Sequence, residues 1–267
     1  MVFSIAGREI GVNFPPYLIA ELSANHSGDL QRALAMIHLA KTSGADAVKI
    51  QTFTAETMTL DCEKEDFKIR GGLWDGFSLY ELYEKAKTPY AWHKPLFEKA
   101  KQENITLFSS PFDETAVDFL ERLDCPAYKV ASFEMGDIPL IKYIAKTKKP
   151  MIISTGMATL NQVSETVEAA RSNGCTNLAL LHCISSYPAP LKQANLRAIR
   201  KLSDEFGFVV GLSDHTLENT AAVLSIGLGG SIIEKHFIDS KDIDSLDAKF
   251  SVLPKDFRRM TLDAMAA

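Results

Sequence analysis

From residue 17 onward the chain alternates short apolar runs with longer stretches in which apolar residues recur at helical spacing. The runs fall at 17–22, 47–51, 106–110, 127–131, 151–155, 178–183, 208–212 and 231–235. The helical pattern occupies 30–43, 89–103, 114–123, 138–147, 160–173, 195–206 and 217–227; in the first of these, Leu34, Ile37 and Leu39 stand among polar positions. Eight runs, each leading into a helical stretch, predict an α/β fold: a parallel sheet closed as a TIM (β/α)8 barrel. Strands that read as continuous Val, Ile and Leu runs are expected when helices cover both sides of the sheet. The eighth helix is expected only as a beginning, cut off after Pro254.

Two segments stand outside the repeat. Residues 1–14 place Gly7-Arg-Glu-Ile-Gly11 between short apolar stretches, which predicts an N-terminal β-hairpin suited to plugging the barrel floor. Residues 54–88 interrupt the second strand and its helix with Gly71-Gly-Leu-Trp-Asp-Gly-Phe77 and Leu79-Tyr-Glu-Leu-Tyr-Glu84. Insertions at the carboxyl ends of barrel strands lie beside the active site, so this one is the candidate recognition loop.

A length of 267 residues matches one such barrel, and residues 1–267 are read as a single domain. The formal net charge of -5, with acids scattered along the chain, excludes a broad basic surface for nucleic acid. No apolar run approaches the ~20 residues of a membrane helix, and no signal-peptide pattern opens the chain. A cytoplasmic protein without membrane partners is expected. Cys62, Cys125, Cys175 and Cys183 lack CxxC spacing and read as reduced, packed thiols.

The chemistry collects at the strand ends. His215 and His236 finish the last two runs beside Asp214, Glu234 and Lys235, a pattern suited to a shared divalent ion; the alternative is that each imidazole simply caps a strand. Lysines are seldom buried without partners, so Lys49 and Lys129 inside strand patterns call for an anion, either a phosphate or carboxylate ligand or a structural acid such as Glu21 or Glu134. With Ser132, Ser154 and Ser213 nearby, they suggest a phosphate cradle, although serines also cap turns. Glu134 or Asp247 could handle protons in a carbon–carbon bond-forming reaction.

Several stretches carry a resemblance: Ile19-Ala-Glu-Leu-Ser-Ala-Asn-His26, Val48-Lys-Ile-Gln51, Tyr128-Lys-Val-Ala-Ser132, Ile153-Ser-Thr-Gly-Met157, Tyr187-Pro-Ala-Pro190, Gly211-Leu-Ser-Asp-His215 and Glu234-Lys-His-Phe237. In this order they resemble the sialic acid synthase family, the nonulosonic acid synthases. The insertion, with Thr88-Pro-Tyr-Ala-Trp-His93, is similar to the pseudaminic acid branch. The resemblance implies condensation of phosphoenolpyruvate with an acylamino sugar, here 2,4-diacetamido-2,4,6-trideoxy-L-altrose. It implies a divalent metal on His215 and His236, with Mn²⁺ expected and Mg²⁺ or Co²⁺ as alternatives. It assigns phosphoenolpyruvate to Lys49, Lys129, Ser132, Ser154, Ser185 and Ser213, and the sugar to Glu21, Gln51, Tyr187 and Asp247. Glu134, Lys129, Glu21 and Glu234 form the expected catalytic set, with Trp74, Phe77 and Tyr80 of the insertion on the sugar. The family's C-terminal antifreeze-like domain has no counterpart in these residues, and a homodimer is expected of a full-length form. The competing expectations are an N-acetylneuraminate or legionaminate synthase, a Schiff-base aldolase using Lys129, and a barrel that binds phosphoenolpyruvate or sugar without turnover.

Overall fold

The computed structural model describes residues 2–267, in which the apolar runs become eight parallel strands. These are β3 (Tyr17–Glu21), β4 (Ala47–Thr52), β5 (Thr106–Pro111), β6 (Tyr128–Val130), β7 (Met151–Ser154), β8 (Leu178–Cys183), β9 (Val209–Asp214) and β10 (Ile232–His236). They close in sequence order, with β10 pairing both β9 and β3. Gly211 shows how tight that closure is, since a methyl group there would stand 2.2 Å from the Ile232 carbonyl oxygen. The predicted hairpin is present as β1 (Phe3–Ile5) and β2 (Arg8–Ile10). Its Phe3, Ile5 and Ile10 are buried in one cluster with Tyr17, Ile19 and Phe108, so the hairpin packs into the barrel floor as expected.

Helices surround the strands: α1 (Leu30–Thr42), α4 (Tyr90–Gln102), α5 (Glu114–Glu121), α6 (Ile138–Lys146), α7 (Leu160–Ser172), α8 (Arg197–Phe206), α9 (Thr220–Gly227) and α10 (Pro254–Ala266). Side-chain caps start several of them. Asp29 accepts from the amides of Gln31 and Arg32, Asp113 from those of Thr115 and Ala116, and Thr159 with Gln162 forms a capping box on α7. The expected truncation after Pro254 is corrected: the proline occupies the first turn, where its missing N–H costs no bond, and opens a helix of 13 residues. Phe257, Met260 and Ala264 on one face bury themselves against Leu18, Met36 and Ile37. The insertion contains α2 (Ala55–Met58) and α3 (Leu79–Ala86), the latter started by a Ser78–Glu81 capping box. Among the described residues no helix is long and apolar enough to cross a membrane.

Candidate active site

The strand pleat sends Glu21, Lys49, Lys129, Ser213, Glu234 and His236 to the barrel axis near its carboxyl end, and Glu234 is the hub of their contacts. Glu234 Oε1 accepts from Ser213 Oγ at 3.1 Å and lies 3.8 and 3.9 Å from the Nζ atoms of Lys49 and Lys129. Burial favours the neutral acid, but the two ammonium groups outweigh it and hold Glu234 below the usual carboxylate range. Lys49 is also ion-paired with Glu21 at 2.7 Å and donates to Ser110 Oγ, while Gln51 donates to Glu21 Oε1 at 3.0 Å. Lys49 therefore has the structural acid considered from sequence. Lys129 is different. It is 2% exposed, and among the described residues its Nζ makes one hydrogen bond, to the Val130 carbonyl at 3.0 Å, although an ammonium carries three protons. Burial pushes its pKa down, with Glu234 pulling the other way.

The sequence reading places Asp214 and Lys235 beside the histidines, and the pleat corrects this. Each is one residue out of phase with the inward set, so they pair on the helix side at 2.5 Å, with Lys235 also donating to the carbonyls of Thr216 and Glu218. That pair stitches β9 to β10 behind the site.

Next to Lys129, one strand over, hydroxyls gather around a glycine. The Gly156 amide donates to Ser132 Oγ at 3.2 Å, and a methyl at Gly156 would stand 2.8 Å from that oxygen and 2.5 Å from Ser185 Oγ. Glycine is therefore what lets both serines close in. Ser154 Oγ, Glu134 Oε2 and Glu234 Oε2 are buried without a hydrogen-bond partner among the described residues. Buried polar atoms rarely stay unpaired, so three at one mouth mark a place built to receive polar ligand atoms. Burial also raises the Glu134 carboxyl, making it a better proton carrier.

His215 and His236 face each other with ring centroids 5.4 Å apart. His215 Nδ1 lies 2.9 Å from the Ile184 carbonyl, which can only accept, so Nδ1 carries a proton, and in the neutral ring Nε2 holds the lone pair. His236 Nδ1 lies 3.1 Å from Ser23 Oγ. Among the described residues neither Nε2 has a hydrogen-bond partner. Burial, and then the neighbouring His215, holds His236 well below the usual histidine range and so neutral. Burial opposes charge on His215 too, but the hydrogen bond to Cys183 and its thiolate charge, then the Ile184 carbonyl, more than compensate, so an ion at Nε2 would displace a proton. Two anchored imidazoles with unused Nε2 atoms fit a divalent first-row ion. Among the described residues no cluster of three or more His, Cys, Asp or Glu side chains could hold a metal, so water or substrate oxygens would complete its shell.

Aromatic rings wall this end of the mouth. Tyr187 packs at a tilt against His215, ring centroids 4.3 Å apart, and against Phe250 at 5.0 Å, and Trp74 of the insertion lies 6.1 Å from Tyr187 while its Nε1 donates to the Leu246 carbonyl. Of the three insertion aromatics expected on the sugar, Trp74 thus reaches the site. Phe77 instead sits under Lys85, and the Tyr80 hydroxyl donates to Glu56 at 2.6 Å. Asp247 is joined to the site through Ser23, whose hydroxyl it accepts. Ser213 gives its hydroxyl to Glu234, and Gln51 to Glu21 its amide, so both act on acids of the site. Sequence reasoning missed three participants. Phe250 follows a loop with no strand signal. Gly156 is seen only as part of a motif. Tyr83 lies in the field of Glu134, which adds to the upward shift that burial gives its hydroxyl.

Catalytic side chains of barrel enzymes sit at this face, and ionisable groups buried there with unused hydrogen-bonding capacity serve a reactant rather than the core. The fold and site define a barrel enzyme. More narrowly, the chain belongs to the NeuB family, whose profile matches residues 36–267. The pseudaminic acid synthase of Campylobacter jejuni subsp. jejuni serotype O:2 is 49% identical over 244 residues, which make up 91% of this chain and 71% of that protein. Its Helicobacter pylori namesake is 46% identical over 246 residues, 92% of this chain and 72% of that one. Among solved structures, N-acetylneuraminic acid (sialic acid) synthetase from Leptospira borgpetersenii superposes with a TM-score of 0.89 at 28% identity, covering 99% of this chain and 87% of that chain.

Proposed function

We propose that the chain condenses phosphoenolpyruvate with 2,4-diacetamido-2,4,6-trideoxy-L-altrose, releasing phosphate and pseudaminic acid. The observation that carries the reading is the buried Lys129 ammonium with two unused protons beside the Gly156 cradle and the unpartnered Ser154 hydroxyl. A phosphate supplies the acceptors all of these groups need. Ser132, Ser154, Ser185 and Lys129 would hold that phosphate, and Lys49 the carboxylate end. Likeness to two pseudaminic acid synthases supports the sugar assignment. Trp74, Tyr187 and Phe250 offer apolar faces to a deoxy sugar's methyl and acetamido groups, and Glu21, Gln51 and Asp247 supply polar partners for its hydroxyls. Glu134, raised by burial, would carry a proton at the reacting carbon.

His215 and His236 would hold the divalent ion, Mn²⁺ in the first instance. Bound there, it would polarise the sugar's aldehyde oxygen. The protein's own contribution is to present two Nε2 lone pairs, exclude water with the aromatic wall and hold both substrates in register.

Phosphate release measured across a panel of acylamino sugars tests the assignment. Fastest release with the trideoxy-L-altrose sugar is expected; faster release with N-acetylmannosamine or the legionaminate precursor would reassign the substrate. The lowered pKa of Lys129 also suits a Schiff-base aldolase. Borohydride trapping of an adduct on Lys129 would establish that chemistry instead, and phosphoenolpyruvate binding without phosphate release would leave a binding barrel.

A further inference from the structure

Ser23 occupies a conformation a serine rarely adopts, and its hydroxyl is the junction of a buried chain. It follows β3 at a backbone φ of +40° and is 2% exposed. Left-handed backbone at a residue other than glycine persists only where surrounding contacts hold it, and such outliers concentrate at functional sites. Ser23 Oγ donates to Asp247 Oδ2 at 2.5 Å and lies 3.1 Å from His236 Nδ1. The direction of these bonds follows from Asp247. Its Oδ2 receives both the Ser23 hydroxyl and the Ala24 amide at 3.3 Å, and these two donors favour the ionised carboxylate against the burial that raises its pKa, so the oxygen serves as an acceptor. The one hydroxyl proton of Ser23 therefore goes to Asp247, and its remaining lone pairs accept from His236 Nδ1–H.

We propose that Ser23 is a positioning residue: by spending its proton on Asp247 and accepting that of His236 Nδ1, it fixes the tautomer whose Nε2 lone pair faces the barrel mouth. Without this partner the imidazole is free to carry its proton on Nε2, where it blocks a metal. The same chain ties the ligand to the recognition insertion. Asp247 follows Leu246, whose carbonyl receives Trp74 Nε1, so insertion, loop and imidazole are joined by consecutive hydrogen bonds. The proposal deepens the metal-holding part of the function above.

The test uses Ser23→Gly, because glycine accepts the left-handed backbone without strain and so removes the hydroxyl while leaving the fold in place. In metal-free wild type labelled with ¹⁵N-histidine, long-range proton–nitrogen spectra should show His236 in the Nδ1–H form, its signals identified by their loss in His236→Gln. In Ser23→Gly the Nε2–H form should appear, and Mn²⁺ affinity measured by calorimetry should fall about ten- to a hundred-fold, the usual effect of losing the partner of a ligating imidazole. Asp247→Ala, which frees the Ser23 proton to point at Nδ1, should shift the tautomer the same way. An Nε2–H His236 in the wild type, or a folded Ser23→Gly with unchanged tautomer, would overturn the proposal. A wild type that binds no Mn²⁺ would contradict the proposed function instead, and the metal-free spectra would still decide the role of Ser23.

Discussion

Single residues at the mouth separate into those that hold the site together and those that wait for a reactant. Glu234 belongs to the first kind. Its carboxylate sits against Lys49, Lys129 and Ser213, and because Lys49 keeps Glu21, Glu234→Gln leaves the buried Lys129 ammonium without a counter-charge. A loss of about 3–5 kcal/mol is expected, read from urea unfolding, and unchanged stability would contradict the assignment. Lys129 belongs to the second kind. Lys129→Met keeps the apolar stem and should weaken phosphoenolpyruvate about ten- to a hundred-fold in calorimetry, with near-native stability; equal affinity would make the lysine structural. Both residues are visible in the sequence because a charge inside a strand pattern is costly and needs a reason. Ser23 is not, since a serine after a strand reads as a turn residue and its partners lie 213 and 224 positions away. Asp214 and Lys235 mislead for a related reason: proximity in sequence ignores the pleat that turns alternate residues to opposite faces.

Whole elements divide the work between recognition and support. The insertion with α2 and α3 meets the site through Trp74, so exchanging residues 54–88 for those of a sialic-acid-forming relative should change sugar preference and spare phosphoenolpyruvate affinity. An active chimera with unaltered preference would place selectivity elsewhere. The outer layer carries a pH signature. His93 on α4 lies fully buried with Nε2 2.7 Å from Thr52 Oγ, and burial lowers its pKa to about 4. The unfolded chain takes up this proton near pH 6.5 and the folded one only near 4, so stability is lost as pH falls through that window, by up to about 3 kcal/mol. Urea midpoints at about pH 7 and pH 4.5 should show the loss, and His93→Gln should shrink it. Strand and helix periods are local properties, and all eight runs and the first seven of their helices could be read from sequence. The inner shape of the insertion could not, because its anchor is the bond from Trp74 to Leu246, 172 residues on.

At the level of the whole molecule, the barrel keeps stability at one end and chemistry at the other. Phe3, Ile5 and Ile10 fill the floor, far along the axis from His215 and His236. Phe3→Ala should cost about 3–5 kcal/mol in unfolding free energy while phosphate release by the folded protein stays unchanged. Closure of the barrel follows from the count of eight runs and the crossover helices. The helix after Pro254 does not follow so easily, because Pro254 reads as a stop and acts as a start. The central claim is that one mouth holds both an ion on two imidazoles and a phosphate in the hydroxyl cradle. Crystals soaked with Mn²⁺ and phosphoenolpyruvate test it most directly, through the anomalous signal of manganese. The expected map shows manganese bound by Nε2 of His215 and His236, with the phosphate against Lys129, Ser132 and Ser154. Manganese away from both imidazoles, or a phosphate that leaves Lys129 and the Gly156 cradle empty, would contradict it.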